Sequence, residues 1–177
     1  RVADVLLKRD AVEEALTLFQ ASLATRQQIL QTYGDSEQRL RDLSISQERV
    51  ADVLLKRDAV EEALTLFQAS LATAEQILQT YGDSEQRLRD LFISYFKLSI
   101  CLPENKPKQC ALLCEALSCS EKRLLNYPQY VAISIAEHEQ LLQLAEPFIQ
   151  AWDDQAFKHQ LNSFQQNLAC FKQNMGI

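Results

Sequence analysis

Glycine and proline are scarce: three glycines and four prolines in 177 residues. An all-β chain needs many tight turns, so this scarcity excludes one and points to long helices. No apolar run reaches the roughly 18 residues that a membrane-spanning helix needs, so no membrane span is expected. The opening stretch RVADVLLKRD is amphipathic and charged, which does not fit a signal peptide. The net charge is -6 and no long block of like charge occurs. A phosphate backbone requires a basic face, so nucleic acid is not expected as a partner. Five cysteines, an odd number without framework spacing, read as free and mostly buried thiols of a reducing compartment.

What the chain does have is a repeat. DVLLKRDAVEEALTLFQASLAT stands at 4–25 and again at 52–73. Residues 1–43 match 49–91 at a period of 48, with Arg26 against Ala74 and Gln27 against Glu75 as the differences. Self-similarity at this period is the mark of a stacked array, whose units cannot bury their apolar faces alone. The first residue falls inside a repeat, so a longer parent chain is expected.

Within a unit, DAVEEALTLFQASLATAEQILQTYG (58–82) reads as one helix. Asp58 is the expected N-cap, with Glu61 completing a capping box. Ala63, Leu64, Phe67, Leu71, Ile77, Leu78 and Tyr81 keep helical spacing. Gly82 suits a left-handed residue past the end. A second helix follows over 83–102, capped by Asp83 or Ser84, with Leu88, Leu91, Phe92, Tyr95, Phe96 and Leu98 as its apolar face. The equivalent helix of the first copy spans about Ser36 to Arg57. Each unit is thus a pair of antiparallel helices.

After Leu102 the copy decays. A proline-containing loop is expected at 103–109 and a helix at 110–127, with Cys110, Ala111, Cys114, Leu117 and Leu124 on its packed face. One long helix is expected over 128–152, ending or kinking near Pro147. Another follows over 153–174, capped by Asp153 or Asp154. Its stripe of Phe157, Leu161, Phe164, Leu168 and Phe171 reads as a core seam.

No catalytic constellation is apparent, and no cofactor or metal is expected. His138 lacks the second histidine of a zinc-protease helix, and both His138 and His159 are expected to be exposed or partly packed. Cys110 and Cys114 share a helical face, but Cys119 lies about 180° away at roughly 100° per residue, so one helix cannot aim all three at one ion.

VADVLLKRDAVEEALTLFQASL (50–71) resembles a tetratricopeptide repeat. Ala51 and Ala3 stand where that motif has a small residue at the helix crossing, and Leu54 and Leu6 follow as its large apolar residue. Ala63, Phe67 and Ser70, with Ala15, Phe19 and Ser22, match its small–aromatic–small pattern. Asp stands in the turn where the family often has Gly, the closing Pro is missing, and the unit exceeds the family's usual 34 residues. In length it is similar to the extended type seen in kinesin light chains and long bacterial repeat proteins.

The resemblance covers 1–102 and implies an all-α, right-handed superhelical array of antiparallel helix pairs, a tetratricopeptide-like α-solenoid. Residues 103–177 would continue it as a divergent helix and a terminal pair or cap, in one continuous domain. It implies a non-enzymatic module that binds a protein or peptide segment in a concave groove. By position in the motif, Asp4, Leu7 and Lys8 would line that groove, then Glu48, Asp52, Leu55 and Lys56, then Phe96 and Ile100. Acidic groups there would repel a carboxylate, which argues against the family's chaperone-tail clamp. A peptide-sensing regulatory domain and a self-associating scaffold are the other readings. A cytoplasmic setting is expected, with a long bacterial repeat protein secreted into a host cell as the alternative. The oligomeric state is not encoded legibly.

Overall fold

The computed structural model describes residues 2–9, 11–102, 105–131, 135–151 and 155–176. Among them every regular element is an α-helix, and no strand occurs. The chain divides into two compact units, Arg1–Gly82 and Asp83–Ile177.

The first unit holds α1 (Val2–Lys8), α2 (Val12–Tyr33), α3 (Glu37–Lys56) and α4 (Val60–Tyr81). Each helix packs on the next, and the short turns between them make neighbours antiparallel. Along α4, Ala63, Phe67, Ser70, Leu71, Ala74 and Ile77 are buried. They meet the buried face of α3, which includes Leu40, Leu43, Val50, Ala51 and Leu54. Ala51 and Ala63 are 0% exposed, as the close approach of two helix backbones requires. Phe67 fills the space beside them at 1% exposure. Tyr81, at the end of the expected stripe, is exposed.

The turns differ from the sequence expectation at one end. Asp58 does not cap α4: the cap position is Ala59, with no side-chain bond. Asp58 instead adopts φ 62° and ends the preceding helix. Its N–H donates to the carbonyl of Leu55 (3.1 Å), and the N–H of Ala59 donates to that of Leu54 (3.0 Å). These two bonds form a Schellman closure, which normally takes Gly at the left-handed residue. A short polar side chain is among the few that tolerate that conformation. The backbone demand of α3's end therefore prevails over the capping preference of the aspartate, and no capping box with Glu61 forms.

At the other end the expectation holds. Gly34 and Gly82 have positive φ (68° and 75°) with ψ of -174° and -172°, a region essentially confined to glycine. Ser36 Oγ accepts from the Arg39 N–H (3.3 Å) and Ser84 Oγ from that of Arg87 (3.2 Å). Each such cap stabilises its helix by about 1 kcal/mol. Arg39 also donates from Nε to the carbonyl of Gly34 (2.8 Å), covering the carbonyl end of α2.

The second unit holds α5 (Glu85–Ile100), α6 (Lys106–Asn126), α7 (Pro128–Val131), α8 (Ile135–Ala151) and α9 (Gln155–Met175). α6 is central, packing against each of the other four. It starts earlier than the expected loop allows. Asn105 Oδ1 accepts from the Lys108 N–H (3.2 Å) and Pro107 sits in the first turn, where a missing N–H costs nothing. On α6, Cys110, Leu117 and Leu124 are buried as expected, but Ala111 is exposed and Cys114 only half-buried. The expected helix over 128–152 is represented by α7 and α8, with 132–134 between them, and α8 runs past Pro147. The expected caps Asp153 and Asp154 lie outside the described residues. Phe157, Leu161, Phe164 and Leu168 are buried, and Phe171 half-buried. The α9 stripe is a core seam, set against α6 as well as α8.

Candidate functional site

In the first unit, α1 carries Asp4, Leu7 and Lys8, and α3 carries Glu48, Asp52, Leu55 and Lys56. Lys8 and Lys56 are exposed; the other five are half-buried. Arg49 Nη1 donates to both carboxylate oxygens of Asp4 at 3.3 Å, so the two helices are joined by an ion pair on their accessible side. The same guanidinium stands over the Phe19 ring, 5.7 Å from its centroid. Glu48 is turned toward α4, where Oε1 accepts from Ser70 Oγ at 3.1 Å. That bond joins α3 to α4; on α3, Asp52 and Leu55 are half-buried and Lys56 is exposed.

In the second unit, Phe96 and Ile100 lie on α5. Phe96 stacks on Phe92, with ring centroids 6.1 Å apart and planes 25° from parallel. It borders a cavity of about 170 Å³ with Ile93, Glu137, Gln140 and Leu141. Ile100 is 48% exposed.

Several polar residues outside the motif organise the second unit. Arg123 is 0% exposed and donates from Nη2 to Glu85 Oε1 at 2.6 Å and from Nε at 3.1 Å. Its Nη1 stands 3.6 Å from Glu137 Oε2, and Glu137 also pairs with Arg89. A buried guanidinium is tolerated only when paired in this way. Burial alone would raise the Glu137 carboxyl. The hydrogen bond and charge of Arg89, with the charge of Arg123, outweigh burial and hold it below the ordinary glutamate value. The same hydrogen bond raises Arg89. Glu121 of α6 accepts from Ser163 (2.7 Å), Gln160 (2.8 Å) and Asn167 (2.5 Å) of α9. The spacing of those three donors along one helical face was visible in the sequence beside the Phe–Leu stripe. Nothing in the sequence marked Arg123 as buried.

His138 corrects its expectation. It is fully buried, with its ring stacked on Phe164 at 5.9 Å and 22°. It sits on the face of α8 that meets α9, so packing takes it out of solvent. His159 is exposed. Cys101, Cys110 and Cys119 are buried and outside any disulfide, Cys114 is half-buried and Cys170 exposed. Burial pushes the Cys119 thiol up to about 12. Among the described residues no group of three His, Cys, Asp or Glu gathers as a metal site, and no described helix is long and apolar enough to cross a membrane.

Comparison with family models, curated proteins and solved structures finds no match.

Proposed function

We propose that this chain is a non-enzymatic protein-interaction module, a tetratricopeptide-like solenoid that binds a peptide or partner segment along its first-of-pair helices. The repeated helix pair supports this reading. α3 and α4 pack along their buried faces, and Ala63, Phe67 and Ser70 of the small–aromatic–small pattern are all buried there. The observation that carries the binding reading is the accessible side of α1 and α3. There the Asp4–Arg49 pair bridges neighbouring helices beside Asp52, Leu55 and Lys56. Such a surface exists before any ligand arrives, so a segment binding it meets no cost of folding the receptor. Mixed charge and aliphatic groups suit an amphipathic segment.

The test is affinity capture with the wild-type chain beside an Asp52→Arg, Lys56→Glu variant of unchanged melting temperature. A partner held by the wild type and lost by the variant supports the assignment to this face. Equal capture by both moves binding to another surface.

A further inference from the structure

Arg123 of α6, Glu85 and Arg89 of α5 and Glu137 of α8 form one ionic cluster inside the second unit. Arg123 bonds Glu85 and stands 3.6 Å from Glu137, and Arg89 Nε donates to Glu137 Oε2 at 3.2 Å. Two guanidinium groups face two carboxylates, so the formal charges cancel. Beside this cluster α5 and α8 border a cavity of about 170 Å³. Buried Phe92 and Leu141, with half-buried Ile93 and Phe96, give it apolar walls. The Phe92 and Phe96 rings lie 25° from parallel and line the α5 side. Glu137 and Gln140 form the polar edge on α8, and Gln140 is exposed, which places that edge toward solvent.

Each of these properties restricts what fits. An apolar cavity of about 150 Å³ takes a benzene ring, so the volume here suits one small ring system. A charged ligand loses its hydration against the phenylalanines and gains no net attraction from a cluster whose charges cancel. Burial works against the Glu137 charge, but the bond and charge of Arg89 and the charge of Arg123 hold its carboxyl below the ordinary value. Glu137 is therefore ionised at neutral pH, and a carboxylate only accepts hydrogen bonds. The donor has to come from the ligand. We propose that this cavity binds a neutral aromatic ring carrying one N–H or O–H donor, an indole or a phenol, with the ring against Phe92 and Phe96 and the donor on Glu137. Such a group comes either as a free small molecule or as the Trp or Tyr side chain of a partner segment. The site lies wholly within the second unit and does not rest on the surface that carries Asp52 and Lys56.

The experiment follows the methyl resonances of Ile93 and Leu141 by NMR while indole is added to the whole chain. A parallel titration uses benzofuran, which has the same shape with oxygen in place of the N–H. Indole is expected to shift both residues saturably and to bind about tenfold more tightly than benzofuran, the effect of one hydrogen bond to a charged acceptor. Glu137→Gln should remove most of that preference. Benzofuran should bind this variant as it binds the wild type, which reports an intact cavity. Gln140→Trp changes an exposed position at the edge, and should abolish both titrations at an unchanged melting temperature. N-acetyl-tryptophanamide separates the two sources. Binding as tight as that of indole assigns the site to a side chain of a partner, and failure to bind beside a positive indole titration assigns it to a free molecule. The absence of a saturable shift with indole overturns the site, as does indole binding that survives Gln140→Trp. Equal affinity for indole and benzofuran overturns the donor on Glu137 and with it the class of ligand.

Discussion

Ser44 of α3 and Ser70 of α4 meet hydroxyl to hydroxyl at 2.8 Å in a buried interface. Ser70 Oγ also donates to Glu48 (3.1 Å), so Ser44 is the donor between the two serines. Removing the Ser70 hydroxyl takes the short acceptor from the buried Ser44 hydroxyl, leaving it the Ser70 carbonyl at 3.4 Å, and removes one donor from Glu48. Ser70→Ala should cost about 1–3 kcal/mol. The identical change at Ser22 should stay within about 0.5 kcal/mol. Urea denaturation of the two variants provides the comparison, and equal losses would contradict the difference in cover.

Phe67 is the aromatic of the α3–α4 interface and is 1% exposed. Phe67→Ala should destabilise by about 3–5 kcal/mol through lost burial and a residual cavity. Phe19, in the same place of the first copy, borders an existing cavity and should cost less. Thermal melts that rank the two in the opposite order would refute the packing described.

Asp58 occupies a left-handed position that costs a non-glycine residue roughly 1–2 kcal/mol. Glycine removes that strain but gains freedom in the unfolded chain, worth about 0.5–1 kcal/mol. Asp58→Gly should therefore stabilise the chain by about 0.5–1 kcal/mol, read as a higher denaturation midpoint. Asp58→Ala, which keeps a Cβ without the local polar contacts, should lower it.

The five thiols should separate by reactivity. Cys170 is exposed and should react first with a disulfide reagent such as DTNB. Cys119 is buried with its pKa pushed up to about 12, so almost no thiolate forms at pH 8. It should react only on unfolding. Mass spectrometry after timed alkylation resolves the order, and early labelling of Cys119 would refute its packing.

Glu137 gives the second unit an acid dependence. Its folded pKa lies below the unfolded value of about 4.3. A depressed carboxylate contributes stability that is present above the unfolded value and lost as pH falls through the folded one. Glu137→Gln should thus flatten the fall in melting temperature below about pH 4.3. The variant should also be less stable at pH 7, where Arg89 and Arg123 lose a partner. An unchanged acid limb would show that the carboxylate contributes little.

Helical periodicity made the all-helical character legible, because three-or-four spacing and two kinds of turn are local properties. Ser36, Ser84, Gly34 and Gly82 act as their types suggest. Asp58 misleads because the same residue type serves at an N-cap and at a left-handed closure, and only the helix before it decides. The positions expected to line a groove could be placed on helices, but that Glu48 turns to Ser70 depends on a residue 22 places along. The burial of Arg123 and His138 was illegible, since their partners Glu85 and Phe164 come from other helices.

Ser22 and Ser70 mark the division between what sequence and tertiary structure each decide. Sequence by itself determined that each stands on a helix, one turn past an aromatic, on a face able to receive a neighbour. Within the stretches 4–25 and 52–73 it determined the same for both, because those residues are identical. Which of them is buried was decided only by the tertiary structure. Burial depends on what lies across the interface: the first half of α3 covers Ser70, whereas Ser22 beside the cavity remains exposed.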